Sequence, residues 1–120
     1  GVWSHVAITY ENGTLRYYLN GQFVEQQAYT LFSGSSNGNY TLGARTTTGQ
    51  YTLQDIDDLR IWNTVRSDGE ILADYDNYLI GNESGLIAYF NMNEGDGLGI
   101  SDISSSGLLA QLFNGVTWVE

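Results

Sequence analysis

The residues whose types and spacing come nearest to acid–base chemistry are the single histidine, His5, and three aspartates in mid-chain, Asp55, Asp57 and Asp58. Glycoside hydrolysis needs two carboxylates across a cleft, one donating a proton and the other acting as base or nucleophile. The three aspartates imitate such a set, but a bulge between Asp57 and Asp58 would break their alternate spacing, and no acidic strand with a glutamate as the acid accompanies them. His5, being alone, rules out a histidine-pair metal centre. No serine sits in a G-x-S-x-G elbow, so a hydrolase triad lacks its nucleophile. The absence of cysteine removes thiol catalysis, disulfides and cysteine metal sites together. A structural role is therefore predicted for His5, Asp57 and Asp58, with the imidazole bonded to one of the two carboxylates where water is scarce.

The elements that position these groups read as strands. Val6, Ile8 and Tyr10 alternate with His5, Ala7 and Thr9 over Trp3 to Tyr10, the period of a sheet with one drier face. Leu15, Tyr17 and Leu19 share a face of the next run, and Asn20-Gly21 before Phe23 and Val24 supplies the two positive φ angles of a type I′ hairpin. Ser33 to Gly38 is a loop by composition, Tyr40, Leu42 and Ala44 alternate again, and Thr46 to Gly49 is a turn. A fifth strand from Tyr51 to Asn63 puts Ile56 on the opposite face from Leu59 and Ile61, which a bulge at Asp57-Asp58 would reconcile. Ser67 followed three residues later by Glu70 is a capping box, which predicts a short helix near Ser67 to Asn77. Gly85 to Met92 and Gly107 to Phe113 read as two further strands around an acidic glycine-rich loop, and Asn114-Gly115 turns into Val116 to Val119.

Composition agrees with this reading. The chain has 120 residues, 15 glycines, nine tyrosines and no proline, which suits one antiparallel β domain with tight turns. Fourteen acidic residues against four basic ones give a net charge of −10, which repels nucleic acid and anionic lipid. No apolar run is long enough to span a bilayer, so direct membrane insertion is not expected of these residues.

Three motifs carry a resemblance: Trp3-Ser4-His5-Val6-Ala7-Ile8-Thr9-Tyr10, then Leu15-Arg16-Tyr17-Tyr18-Leu19-Asn20-Gly21, then Ile56-Asp57-Asp58-Leu59-Arg60-Ile61-Trp62-Asn63. In order and spacing they are similar to W-x-H-V-A-x-T-Y, L-x-x-Y-x-N-G and I-D-D/E-V-R-I-W-N of the laminin-G-like jelly roll in the concanavalin A-like lectin and glucanase superfamily. Arg66-Ser67-Asp68-Gly69-Glu70-Ile71 continues it, matching R-S-x-x-E-I. The resemblance implies an all-β, antiparallel β-sandwich of jelly-roll type with one short helix, as a single domain over 1–120. It also implies that this domain's opening strands, with their F-D-G-x-D-D-Y-like segment, are not among these residues, and that 85–120 resembles the opening of a following repeat.

For function, the resemblance implies a secreted or cell-surface recognition or adhesion module without catalytic activity. Its expected ligands are glycans or extracellular proteins, and its expected structural partners are neighbouring domains or strand-exchanged copies. Because Trp3, Trp62 and Trp118 occupy positions that pack internally in the family, the aromatics expected to contact ligand are Tyr18, Tyr29, Tyr51 and Tyr78. The superfamily often holds Ca²⁺ in end loops through hard oxygens, and here Asn93, Asp96 and Asp102 are the candidate ligands. Two other readings stay open, a glycan hydrolase fragment and a purely structural spacer repeat.

Overall fold

The computed structural model describes residues 1–30, 40–45, 50–113 and 115–119. Within them the chain forms β1 (Val6–Glu11), β2 (Thr14–Leu19), β3 (Gln22–Ala28), β4 (Ala44–Arg45), β5 (Gln50–Tyr51), β6 (Leu59–Trp62), α1 (Asp68–Asp74), β7 (Leu86–Phe90), β8 (Gly99–Ser101) and β9 (Leu109–Gln111). Every sheet is antiparallel: β1-β2-β3, β4-β5, β6-β7 and β8-β9. This is the expected β-rich architecture with one short helix. The loop over 33–38 and the turn over 46–49 lie outside the described residues.

Both tight turns of the meander are Asn-Gly pairs with positive φ at each residue, 48° and 79° at Asn12-Gly13 and 49° and 77° at Asn20-Gly21. That is the type I′ geometry, whose twist matches the strands it joins. Gly21 has a second reason to lack a side chain. A Cβ there would lie 2.7 Å from Tyr75 Cδ1 and 3.1 Å from Leu72 Cδ1, because α1 packs down on this turn.

The capping box is formed at α1: the Ser67 main-chain N–H donates to Glu70 Oε2 at 2.8 Å, and the Glu70 N–H donates to Ser67 Oγ at 3.3 Å. The helix lies against the hairpin sheet through its first residue. Asp68 accepts from Arg16 Nη2 at 2.9 and 3.0 Å and from the Tyr18 hydroxyl at 2.8 Å. These contacts turn Arg16 and Tyr18 toward the helix, while Val6, Ile8 and Leu19, on the other face of the sheet, are 66, 59 and 47 % exposed. The alternation of β1 was legible, but among the described residues its drier face is that of Ala7 and Thr9 rather than of Val6 and Ile8.

The apolar core lies elsewhere, where Ala88 and Phe90 of β7 meet Ile100 of β8 under Leu59, Met92, Ala110, Leu112 and Trp118. β8 arises in a stretch read from sequence as loop, and Val116 to Val119 stays irregular instead of forming a strand. The expected strand over Tyr51 to Asn63 is interrupted, with no strand over 52–58. Asp58 adopts φ 55° and its N–H donates to Asp57 Oδ1 at 2.9 Å. The parity conflict between Ile56 and Leu59 is thus relieved by a left-handed step ahead of β6, which Asp tolerates better than most residues because its side chain bonds locally.

Candidate ligand cleft

Main-chain directions in β1 follow from its turn. The Asn20 N–H donates to the His5 carbonyl at 2.8 Å, and in an antiparallel ladder hydrogen-bonded pairs recur at every second residue. Ala7, Thr9 and Glu11 therefore aim their N–H and C=O groups at β2. Those of Val6, Ile8 and Tyr10 point to the free edge. The same reasoning applies to β6: the Asn63 N–H donates to the Gly85 carbonyl at 2.8 Å, while Tyr89 N–H and C=O bond Asp102 Oδ1 and the Ile103 N–H, on the side away from β6. Tyr89 pairs with Arg60, so Arg60, and with it Trp62, presents its main chain to the edge opposite β7.

These two edges border one cleft of about 380 Å³, lined by Ile8, Thr9 and Tyr10 from β1 and by 60–66 from β6 and the turn after it. Consecutive residues of a strand alternate faces, so a wall made of three in a row from each strand is a main-chain edge rather than a side-chain face. Asn63, Thr64 and Arg66 are among its lining residues. Arg66 stands 4.1 Å over the Trp62 ring and is itself paired with Glu70 at 3.0 Å and with Asp74.

Arg60 ties the cleft wall to the helix. Its guanidinium takes both oxygens of Asp58, donates to the carbonyls of Asp74 (2.8 Å) and Asn77 (2.5 Å), and lies 5.5 Å from the Tyr89 ring centre. Tyr89, almost fully buried, donates its hydroxyl to Asp58 Oδ2 at 3.2 Å. Burial, and then the Asp58 charge, hold the Tyr89 phenol above its ordinary pKa of 10.0. The left-handed step at Asp58 is what brings its carboxylate back onto Arg60, two residues on.

The predicted site residues are dispersed. His5 and Asp58 are near each other, but the expected bond is not made: Arg60 and Tyr89 occupy Asp58, Asp57 is exposed, and His5 Nδ1 is buried without a hydrogen-bond partner. Burial, then the Arg60 charge, lower the His5 pKa below 6.5 against the opposing pull of Asp58. Tyr18 is corrected from a ligand platform to a core residue, 2 % exposed, because its hydroxyl is drawn in between Arg16 and Asp68. Tyr29 and Tyr78 are exposed at 43 and 80 %, apart from the cleft lining, and the Tyr51 side chain lies outside the description. Trp3 is corrected too: it is exposed, whereas Trp62 and Trp118 are partly buried.

Asp102 does not act as an open calcium ligand. Its Oδ1 accepts from the N–H groups of Tyr89 and Ser104, and its Oδ2 from Ser104 Oγ and the Leu108 N–H, which fills the roughly four acceptor sites of a carboxylate. Burial would raise its pKa, but these bonds outweigh it and leave the value lowered. Asn93 and Asp96 are exposed, and no group of three or more acidic, histidine or cysteine side chains converges as a metal site among the described residues. The donor set does not fit a calcium ion centred on Asp102. Sequence reasoning missed Tyr10, Trp62, Asn63 and Arg66 as cleft residues, because the cleft lies between β1 and β6, which are far apart along the chain.

Residues 1–72 match the family model described as the concanavalin A-like lectin/glucanases superfamily. Comparison with curated proteins and with solved structures gave no match.

Proposed function

Because the chain belongs to the concanavalin A-like lectin/glucanases superfamily, we propose that it is a non-catalytic extracellular recognition or adhesion module, which holds a ligand at the cleft between β1 and β6. The observation that carries this reading is the state of Asp58. The one aspartate of the Asp55, Asp57 and Asp58 set that is not exposed has both oxygens on Arg60 and a further bond from Tyr89. Both oxygens of this carboxylate are already engaged within the protein, whereas a hydrolase needs a free acid facing a second carboxylate. The cleft instead offers what binding uses: the main-chain groups of two strand edges, lined as well by apolar and aromatic residues and by Asn63 and Thr64. An extracellular setting is supported by the family and by the acidic surface; no helix among the described residues is long and apolar enough to cross a membrane.

The test is a panel of glycans and extracellular proteins titrated against the chain in calcium and again in chelator, with the glycans also assayed for cleavage. Saturable binding without product is the expected result. Glycan cleavage lost in Asp57→Asn or Asp58→Asn would replace this reading with the hydrolase. Absence of any ligand would leave the spacer. Binding that disappears in chelator and in Asp96→Ala would assign calcium to the exposed loop carrying Asn93 and Asp96.

A further inference from the structure

Two identical dipeptides meet different surroundings in this fold, and asparagine chemistry separates them. Asn12-Gly13 and Asn20-Gly21 both lie wholly among the described residues, each in a type I′ turn with positive φ at both positions. Asparagine before glycine is open to intramolecular attack, because no side chain hinders approach to the glycine nitrogen. That attack needs a backbone angle far from type I′ geometry, so in a folded chain it waits on local opening of the turn. Asn20-Gly21 is restrained three ways. The Asn20 N–H donates to the His5 carbonyl at 2.8 Å, and Asn20 Oδ1 accepts from the His5 N–H at 2.9 Å. Tyr75 and Leu72 of α1 also press on Gly21, where a Cβ would lie 2.7 and 3.1 Å from them. Asn12-Gly13 has one restraint beyond its strand ladder, the Tyr29 N–H donating to the Gly13 carbonyl at 2.8 Å. Asn12 is exposed, and its carboxamide makes no hydrogen bond among the described residues. Around Gly13 the space is open: the nearest atom to a Cβ would be the Tyr29 carbonyl oxygen at 3.9 Å.

We propose that Asn12 is a spontaneous modification site of this chain, converted to isoaspartate and aspartate while Asn20 in the same fold is preserved. The Gly13 nitrogen attacks Asn12 Cγ and forms the C–N bond of a succinimide. The Cγ–Nδ2 bond breaks, and ammonia leaves with the Gly13 amide proton. Water, the co-reactant, then opens the ring at either carbonyl. Both products carry a carboxylate beside Glu11, which adds a negative charge to a chain of net charge −10. Isoaspartate also routes the main chain through Cγ, lengthening a two-residue turn whose register depends on its length. The Tyr29–Gly13 bond is then the first to be lost, together with the 3.4 Å bond from the Tyr10 hydroxyl to the Tyr29 carbonyl. Tyr10 lines the cleft, so the change at the turn reaches the cleft wall. The chemistry at Asn12 is independent of what the cleft binds.

The test ages the 120-residue chain in mildly alkaline buffer, folded and in urea, and follows both sites by mass spectrometry of tryptic peptides. Trypsin cuts after Arg16, which puts Asn12 and Asn20 on separate peptides. In urea the two asparagines should convert at similar rates, since each precedes glycine. In the folded chain Asn12 should convert at least about fivefold faster than Asn20, the factor that one additional hydrogen bond on a turn supplies. The folded chain carrying isoaspartate, separated by anion exchange, should exchange its Tyr29 amide faster than the parent. Tyr75→Ala takes a side chain off Gly21 and should speed conversion of Asn20 while leaving Asn12 unchanged, with amide protection in β1 and β2 showing that the variant is folded. Equal rates at the two sites in the folded chain, faster conversion at Asn20, or conversion at neither while urea converts both would overturn the proposal. An unchanged Asn20 rate in folded Tyr75→Ala would overturn the protection assigned to α1.

Discussion

The hairpin sheet and the β6-to-β9 region were built from the same alternating pattern, yet one has both faces accounted for and the other does not. Around β7 the pattern finds a partner: Ala88, Phe90 and Ile100 are at most 6 % exposed. In β1 the same spacing leaves Val6 and Ile8 largely open on one face, while the other is held by α1 through Arg16, Tyr18 and Asp68. Period two establishes that a strand has two unlike faces. Which of them is dry depends on what is packed against it.

Truncation should split the two regions most sharply. Phe90→Ala removes a buried ring from the only buried cluster among the described residues and should cost about 3–5 kcal/mol in denaturant unfolding. Ile8→Ala, a truncation of an apolar side chain in β1, should stay within about 0.5 kcal/mol, as an exposed position does. Equal costs would mean that both faces are buried in solution and would erase the contrast.

Next in size is the tie between the regions. Arg60→Ala strands Asp58 and leaves the Asp74 and Asn77 carbonyls without their donor, so a loss of about 3 kcal/mol is expected. Arg60→Lys should recover only part of it, because one ammonium cannot reproduce a planar fork on a carboxylate together with two carbonyls. Recovery close to the parent midpoint would show that charge alone matters there.

What could be read from sequence divides along the same line between local and remote causes. The Asn20-Gly21 turn and the Ser67–Glu70 box are decided within a few residues, and both are present, whereas the bulge expected at Asp57-Asp58 is replaced by an interruption of the strand with a left-handed step at Asp58. Ser67→Ala should accordingly cost about 1 kcal/mol, the ordinary worth of a cap, with helix content and midpoint falling together. Tyr18, His5 and Asp102 were misjudged because their partners are remote. Tyr18 meets Asp68 fifty residues on. Asp102 is filled by main-chain groups of Tyr89 and Leu108, which no side-chain pattern announces. Asp58 was expected to pair with His5, but Arg60 lies closer along the chain and brings a two-pronged donor, so it takes both oxygens.

The smallest expected effect isolates the loser of that competition. His5 is the only histidine, and histidine is the side chain whose ordinary pKa lies between about pH 5 and 8. Its folded-state value is lowered from 6.5, first by burial and then by Arg60. The unfolded chain therefore binds the proton more readily than the folded one. Stability from this group is full above 6.5 and falls as the pH drops from there through the lowered folded value. Replacing His5 by a group that cannot titrate should remove that slope. His5→Phe also removes a buried nitrogen without a hydrogen-bond partner, so at about pH 7.5 its midpoint should match or slightly exceed the parent's. Near about pH 5 the variant should be the more stable of the two, by a margin that grows as the pH falls through the window, because acidic groups titrate alike in both. Parallel pH profiles would mean that His5 does not titrate differently on folding. A variant much weaker at every pH would mean that the imidazole has a bonded partner after all, and would return Asp57 or Asp58 to that role.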